Sequence, residues 1–281
     1  MLKYIKEKST ECTEREKTKV GTVIAVTNQK GGVGKTTTAC ALASMLDYSG
    51  HRTLLIDADM QCNSTDTYNA ETSDVATLYD LLNKTEGVNA TDAIQKTAYG
   101  EIIPGDRLLG DIETVLQQDP ISGIFRMQMF MGTLKDVYDY IIIDTNPTIN
   151  RLLLNCAVAA DQVLIPMTAD RFGLIGLQQV IDTIKSVQSM PNKNLKIAGI
   201  LVVKYKANLK LEREVNNGLE KLTNELGIRL FNTKIRESIR VREAQASKTP
   251  LIEMDYKNNA AKDYRQFIKE YLGITIIKKG E

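Results

Sequence analysis

Two lysines and a cluster of glycines lie in one short segment near the start of the chain. Residues 28–37 read NQKGGVGKTT and stand between an apolar, β-branched run (22–27) and a helical pattern that stops at Gly50. Glycines between a strand and a helix let backbone N–H groups converge on phosphate oxygens, and the helix N-terminus adds a favourable dipole. Lys35 is then placed to reach the β- and γ-phosphates, and the Thr36 hydroxyl to bind Mg²⁺. The segment predicts a nucleotide site.

This loop departs from the standard GxxxxGK[ST] pattern. Gln29 stands in the place of the first glycine, and Lys30 adds a second lysine inside the loop. An additional loop lysine can also be an ordinary exposed side chain. We expect eight consecutive residues to contact the nucleotide: Lys30, Gly31, Gly32, Val33, Gly34, Lys35, Thr36 and Thr37.

Aspartates follow two further apolar runs. Asp57 ends the run 53–56 (TLLI), and Asp144 ends the run 140–143 (YIII). Asp144 at the carboxyl end of a strand is well placed for the outer shell of a metal ion. An isolated aspartate at such a position is more often a helix N-cap.

The elements that must position these residues alternate along the chain. Apolar runs separated by amphipathic helical patterns indicate βαβ units, so we predict an α/β fold with a mainly parallel, twisted sheet flanked by helices. Residues 66–137 are mostly helical in pattern, and 102–104 could form a short strand. The predicted strands are 22–27, 53–56, 140–143, 162–167 and 196–203, with a helix over 173–189.

Composition excludes several classes of protein. The 281 residues are 43% hydrophobic and 25% charged, which is typical of soluble globular proteins. No run approaches the ~20 apolar residues that span a bilayer, and the charged N-terminus lacks the apolar core of a secretory signal. Four scattered cysteines and one histidine, His51, argue against a disulfide framework, structural zinc and histidine-based nucleophilic catalysis, and favour a reducing cytosol.

Charge is distributed unevenly along the chain. The net charge is +1, but the part from Pro191 onward carries 19 basic and 11 acidic residues. Such a basic half can form a face for a polyanion, or it can consist of ordinary solvated helix faces. No Pro- or Ser-rich linker or repeat interrupts the sequence. We therefore expect a charged arm (1–20) followed by a single domain (21–281).

Residues 28–37 resemble the deviant Walker A motif of the ParA/MinD family of P-loop ATPases, and most of all its ParA branch. Residues 54–61 (LLIDADMQ) are similar to the family's switch I motif, usually DxDPQ, with Met60 in place of proline. Residues 140–147 resemble its Walker B strand, usually followed by DTPP, with Asn146 as the departure.

The resemblance continues through 159–166 and 235–244 and covers roughly residues 22–272. It implies a P-loop NTPase fold of the deviant Walker A type, with ATP and Mg²⁺ as cofactors. The three motifs occur in the same order as in the family. This order favours a role near the metal ion for the strand-end aspartates over a role as helix N-caps.

The resemblance implies roles for individual residues. Lys30 would cross the interface of an ATP-sandwich homodimer and contact the partner's nucleotide, much as an arginine finger does. Asp59 would position the attacking water, and Asp57 would support Mg²⁺ through water. The implied catalytic residues are Lys30, Lys35 and Asp59, and the implied metal-side residues are Thr36, Asp57 and Asp144.

The same resemblance implies binding of DNA without sequence preference. Relatives often carry an arginine where this chain has Asn208, and its neighbours Lys206 and Lys210 could compensate. Phosphate neutralisation requires only point charges and predicts salt-sensitive binding. The candidate DNA-binding residues are Lys204, Lys206, Lys210, Arg213, Arg236, Arg240 and Arg242.

The function implied is that of a ParA-like DNA-partitioning ATPase. It would be cytoplasmic and nucleoid-associated, with weak intrinsic activity and with hydrolysis stimulated by a ParB-like centromere-binding protein. A MinD-like membrane regulator is the alternative, although the apolar spacing in 264–272 favours a helix that packs on its own domain. An electron-transferring relative of the nitrogenase iron protein would need a thiolate-held cluster, whereas Cys40 and Cys62 fit packing roles better.

Overall fold

The structure of the chain is a computed structural model. It describes residues 20–206 and 210–277, and within these the side chains of 171–175 and 210–217 fall outside the description. The predicted arm 1–20, except Val20, therefore lies outside the described residues, as do Asn208 and the side chains of Lys210 and Arg213.

One sheet of seven strands organises the described residues. Its order is β3-β4-β2-β5-β1-β6-β7, and every neighbouring pair is parallel except β3 with β4. The α/β fold with a mainly parallel sheet is thus confirmed. The strands are β1 (Thr22–Val26), β2 (Thr53–Ala58), β3 (Gln95–Thr97), β4 (Gly100–Ile103), β5 (Tyr140–Thr145), β6 (Gln162–Thr168) and β7 (Lys196–Val203).

Helices connect the strands and cover the sheet. Two short 3₁₀ turns, Arg107–Gly110 and Gly123–Phe125, lie among them. The helices are α1 (Lys35–Tyr48), α2 (Asn63–Thr67), α3 (Leu78–Asn83), α4 (Ile112–Gln117), α5 (Arg126–Lys135), α6 (Arg151–Ala159), α7 (Arg171–Ser189), α8 (Lys210–Leu226), α9 (Ile239–Ala246), α10 (Leu251–Met254) and α11 (Asn259–Leu272).

Both faces of the sheet are buried at its central strands, which explains why those strands are continuous apolar runs. Successive side chains point to opposite faces, so Val23 and Ala25 of β1 join one hydrophobic core, with α3 to α7. Ile24 and Val26 join the other core, with α1, α10 and α11. The central strands are thereby held from both sides, and their carboxyl ends form a rigid edge.

The predicted strands are all present, and residues 102–103 do form part of a short strand, β4. Sequence patterns did not identify β3, because Gln95, Lys96 and Thr97 are polar and form a three-residue edge strand without an apolar run. The predicted helix 173–189 begins two residues earlier, at Arg171.

The helix α11 packs on its own domain, as its spacing predicted. Phe267 and Ile268 are fully buried and Tyr264 almost so. The Phe231 ring meets the Phe267 ring edge-on, with centroids 4.9 Å apart. In the described part of the chain, no helix has the length and apolar character needed to cross a membrane.

Candidate functional site

The phosphate loop joins β1 to the N-terminus of α1. Gly32 and Gly34 have φ of +71° and +84°, a conformation that strains a residue with a Cβ. Gly34 directly precedes the first residue of α1. Free N–H groups at the start of that helix, together with the turn before it, form a cradle suited to an anion.

Lys35 is buried beneath this loop. Its Nζ donates to the Lys30 carbonyl oxygen at 3.5 Å, and only 7% of the residue is exposed. Burial lowers the pKa of Lys35, whereas the nearby carboxylates of Asp144 and Asp59 raise it and offset part of that effect. A buried ammonium with one long hydrogen bond can readily be satisfied by phosphate oxygens.

Asp144 stands at the centre of the carboxyl edge. In the strand register it lies beside Val26 of β1 and Asp57 of β2. Its Oδ2 accepts a hydrogen bond from Ser64 Oγ at 2.7 Å, and its Oδ1 is buried with no hydrogen-bond partner among the described residues. Burial raises the pKa of Asp144, and the neighbouring Asp57 raises it further.

These surroundings fit Mg²⁺ in the manner of a P-loop. Among the described residues, no group of three or more His, Cys, Asp and Glu side chains could hold a metal ion alone. Mg²⁺ bound with a nucleotide needs few protein ligands, because phosphate oxygens and waters complete its octahedron. The Thr36 hydroxyl and the unpartnered Oδ1 of Asp144 could hold such an ion, and its charge would compensate the buried carboxylates.

Asp57 has most of its acceptor positions occupied by protein. Its Oδ2 accepts hydrogen bonds from the backbone N and the Oγ1 of Thr65, both at 2.8 Å. Its Oδ1 accepts one from Asp59 N at 3.1 Å. Burial raises the pKa of Asp57, and the hydrogen bonds from Thr65 oppose that rise. One acceptor position on Oδ1 is left for a metal-bound water.

Asp59 lines the cleft that opens beside the phosphate loop. It follows β2, is 7% exposed, and its Oδ1 accepts a hydrogen bond from Gln61 N at 3.0 Å. The structure therefore brings Lys35, Asp57, Asp59 and Asp144 together at one edge of the sheet, where the phosphate loop ends. A nucleophilic water and a terminal phosphate could meet between them.

Lys30 is held by its own chain. Its Nζ donates to Asp170 Oδ2 at 2.7 Å and to Thr168 Oγ1 at 3.4 Å. Both partners come from the carboxyl end of β6, which lies next to β1 in the sheet. The ion pair is about one-third exposed on each side, so it is a weak interaction that a stronger anion can replace.

A cleft of about 630 Å³ opens beside the phosphate loop. One wall is the loop with the start of α1, and the opposite wall is the segment from Ile235 to Leu251. Two side chains of that segment reach across the cleft: Gln245 Nε2 donates to Thr37 Oγ1 on α1 at 3.1 Å, and Lys248 Nζ donates to Asp66 Oδ1 on α2 at 3.1 Å. The volume suits a nucleotide-sized ligand.

The candidate DNA-binding residues do not form one unpaired cluster. Lys204 Nζ donates to the Gly32 carbonyl oxygen at 2.5 Å, on the phosphate loop. Lys206 pairs with Glu237 at 2.8 Å, Arg236 with Asp263 at 2.6 Å and Arg240 with Glu243 at 2.8 Å. Arg242 is exposed and makes no ion pair with the described residues.

The cysteines nearest the site have packing surroundings. Cys40 is buried and its Sγ lies 3.4 Å from Ser64 Oγ, and burial raises the pKa of its thiol well above the usual value. Cys62 is half-buried, and burial likewise raises the pKa of its thiol to about 12. Both surroundings fit the packing roles expected for these cysteines.

Several site residues had no signal in the sequence. Asp170, Ser64 and Thr65 are ordinary polar residues outside the motifs, and each finds its partner through the fold. Asp170 lies 140 positions from Lys30, and Ser64 lies 80 positions from Asp144. The parallel sheet aligns the strands that Asp170 and Ser64 follow, so only the strand order would have identified these two. Thr65 lies eight positions from its partner Asp57, at the end of the same strand.

Comparison with known proteins agrees with this geometry. Residues 21–197 match the family model described as "AAA domain". The chain is 35% identical over 254 residues to the sporulation initiation inhibitor protein Soj of Bacillus subtilis, covering 89% of this chain and 98% of Soj. It is 34% identical over 255 residues to the chromosome partitioning protein ParA of Caulobacter vibrioides, covering 89% and 93%.

A solved structure gives the same result for the fold. A variant of McdA from Cyanothece in complex with ATP superposes with a TM-score of 0.81 at 25% identity, covering 92% of this chain and 99% of that one. The motifs, the sheet topology and these relatives together identify the family of the protein. The chain belongs to the ParA/MinD family of P-loop ATPases, with Soj and the chromosome partitioning protein ParA among its relatives.

Proposed function

We propose that this protein is a ParA-like DNA-partitioning ATPase that cycles between a free form and an ATP-bound homodimer. The observation that carries the proposal is the convergence of two loop lysines and three buried or nearly buried aspartates on one edge of the sheet. Relatives named for chromosome partitioning, similar over most of the chain, support the cellular role.

The proposed roles at the site follow from its geometry and the resemblance. ATP binds along residues 30–37, with Lys35 on the β- and γ-phosphates. Mg²⁺ is held by Thr36, with Asp57 and Asp144 acting through water, and Asp59 orients the attacking water. Mg²⁺ supplies charge neutralisation at the phosphates. The likeness to an ATP complex of McdA supports ATP as the nucleotide.

Dimerisation gives Lys30 its proposed catalytic role. In the ATP dimer Lys30 leaves Asp170 and contacts the nucleotide of the partner subunit, where its charge stabilises the transferring phosphoryl group. Because the Lys30–Asp170 pair is partly exposed, this rearrangement costs little. A slow reaction in the free protein follows, since each site is incomplete without the second subunit.

The proposed DNA surface lies on the basic second part of the chain. Its side chains act as point charges on phosphates, so the binding is independent of sequence and sensitive to salt. Among the candidates with described side chains, Arg242 is exposed at the cleft and no carboxylate of the described residues pairs with it, whereas Lys206, Arg236 and Arg240 are engaged by carboxylates. A ParB-like partner bound to its centromere would stimulate hydrolysis and return the dimer to the free form at the nucleoid.

DNA binding by the purified protein tests the proposal. We would measure it with ATP, with ADP and without nucleotide, at two salt concentrations, for the wild type, Lys30→Ala and Lys196→Ala. Lys196 is an exposed lysine at the start of β7, at the edge opposite the site, so it is the matched control. Binding that requires ATP, falls with salt and is lost only in Lys30→Ala supports the proposal. ATP-bound dimers that ignore DNA would contradict it.

The same samples address the membrane alternative. The buried apolar face of α11 favours DNA over a lipid surface, because that face already packs against Phe231 and its neighbours. Co-sedimentation with anionic vesicles in ATP is therefore expected to match the nucleotide-free control. ATP-dependent sedimentation without DNA binding would favour the MinD-like function.

A further inference from the structure

The short helix α2 (Asn63–Thr67) contacts both buried carboxylates of the site. Two of its consecutive residues, Ser64 and Thr65, are 0% and 2% exposed. Ser64 Oγ donates to Asp144 Oδ2 at 2.7 Å, and Thr65 donates to Asp57 Oδ2 through both its N and its Oγ1. One turn of helix thus fixes an oxygen on each of two neighbouring strands.

The Thr65 hydroxyl is fully used. It donates to Asp57 Oδ2 at 2.8 Å and accepts a hydrogen bond from Gly105 N at 2.8 Å. Gly105 lies just beyond β4 and packs directly on the backbone after β2. A Cβ on Gly105 would lie 3.0 Å from the Asp57 carbonyl oxygen and 3.2 Å from that of Asp59. Thr65 therefore connects β4 and β2 at the level of the site.

The contacts continue from Asp57 to Asp59. Asp57 Oδ1 accepts the Asp59 N–H at 3.1 Å, and Asp59 Oδ1 accepts the Gln61 N–H at 3.0 Å. A rotation of the Asp57 carboxylate would therefore displace the backbone of Asp59. Since Thr65 holds the other oxygen of Asp57, it controls the orientation of Asp59 indirectly, through the Asp57 carboxylate.

Asp144 depends on Ser64 in a comparable way. With Oδ2 fixed by Ser64, the buried Oδ1 is the oxygen left without a partner among the described residues. Without the Ser64 hydroxyl, Oδ2 would lose its hydrogen bond, and the carboxylate would be less firmly held. Partners of this kind, which orient a metal-side group from behind, commonly change affinity or activity by about 10- to 100-fold when removed.

We propose that Ser64 and Thr65 are positioning residues for ATP hydrolysis: Thr65 holds Asp57 and through it Asp59, and Ser64 holds Asp144 with one oxygen directed to the metal side. This role rests on the proposed ATPase function. Hydroxyls that merely satisfied buried carboxylates would affect stability alone. Hydroxyls that position them also affect turnover and the Mg²⁺ requirement.

The test measures kcat, ATP Kd and Mg²⁺ dependence in the full-length protein. Thr65→Val keeps the shape but removes the hydroxyl, and Thr65→Ser keeps the hydroxyl. We expect Thr65→Val to lower kcat by about 10- to 100-fold with ATP Kd within about twofold of wild type. Thr65→Ser restores most of the lost turnover.

The control is Thr53→Val at the other end of β2. Thr53 is also buried, and its Oγ1 donates to the His51 carbonyl oxygen, so this variant loses a buried hydroxyl far from the site. Its kcat should equal that of wild type even where its urea midpoint falls. Equal kcat in Thr65→Val, Thr65→Ser and wild type would overturn the role of Thr65.

Ser64→Ala provides an independent readout. It removes one oxygen atom, and we expect the Mg²⁺ concentration for half-maximal activity to rise by about 10-fold. An unchanged Mg²⁺ requirement in Ser64→Ala would overturn the role of Ser64. This result does not depend on whether Thr65→Val folds. A wild-type protein that binds ATP but never hydrolyses it would overturn the proposed function, and the positioning role with it. Normal turnover in the variants would overturn the positioning role alone.

Discussion

At the scale of single residues, Lys30 is the side chain whose surroundings must change most during the proposed cycle. Its ion pair with Asp170, 2.7 Å long and 34% and 39% exposed, competes with the role proposed for Lys30 across the dimer. An exposed pair of this kind is worth at most about 1 kcal/mol. The cost of releasing Lys30 is therefore small and measurable.

Asp170→Asn should strengthen ATP-dependent dimerisation. The substitution removes the ion pair of Lys30 in both subunits, and about 1 kcal/mol for each subunit corresponds to a dimer Kd lower by up to about 30-fold. Sedimentation velocity with ATP measures the shift. The control is Asp139→Asn, since Asp139 pairs with Arg52 at similar exposure on the opposite edge of the sheet. Weaker dimerisation in Asp170→Asn would mean that Asp170 assists Lys30.

Among the helices, α11 packs the C-terminal part of the described chain into the hydrophobic core on one face of the sheet. Phe267→Ala should reduce the free energy of unfolding by about 3 to 5 kcal/mol, because Phe267 is fully buried against Phe231. Urea unfolding measures this loss. A loss below about 1 kcal/mol would indicate an unpacked helix and would reopen the possibility that α11 binds another surface.

Glu270 of α11 binds the backbone of residues 232–233, which precede the segment that forms one wall of the cleft. Its Oε1 accepts the Asn232 N–H at 2.7 Å and its Oε2 accepts the Thr233 N–H at 2.8 Å. Burial alone would raise the pKa of Glu270, but these hydrogen bonds, with the charge of Arg229, outweigh it and lower the pKa. The ionised form is therefore the one that the fold stabilises.

Stability from Glu270 should consequently depend on pH. A lowered pKa contributes stability above the unfolded value of 4.5 and loses it as pH falls through the lower folded value. Glu270→Gln should cost about 1 to 2 kcal/mol at neutral pH, and the difference from wild type should shrink in acid. Urea midpoints across this range test it. A difference independent of pH would show that the charge contributes nothing.

At the scale of the whole molecule, the uneven charge bears on DNA binding only where cations are accessible. Arg242→Ala should weaken binding of the ATP form and reduce the slope of log K against log salt by about 1, as expected for one phosphate contact. Arg236→Ala should change that slope less, because Asp263 already holds Arg236 with two hydrogen bonds.

Fluorescence anisotropy with labelled duplex DNA between about 50 and 200 mM salt measures both slopes. Lys196→Ala, an exposed lysine on the opposite edge, should leave the slope unchanged. Equal losses in all three variants would mean that total charge, and not a defined face, determines the affinity.

Local sequence patterns were enough to predict the class of fold and the chemistry of the loop. Apolar runs such as 22–27 and 140–143 predicted buried parallel strands because both faces of such strands are covered, and the loop 28–37 predicted the phosphate cradle because its glycines and helix start are local features. Polar edge strand β3 escaped this reasoning, since three polar residues carry no hydrophobic signal.

The contacts between distant polar groups depend on how the strands are arranged in the folded sheet. Strand order places β6 beside β1 and β2 beside β5, so Asp170 reaches Lys30, and Ser64 reaches Asp144. The tertiary structure also showed that three predicted DNA-binding cations are engaged by carboxylates. Side-chain pairing across 80 or 140 positions depends on the register of a whole sheet, and no local pattern of residues encodes it.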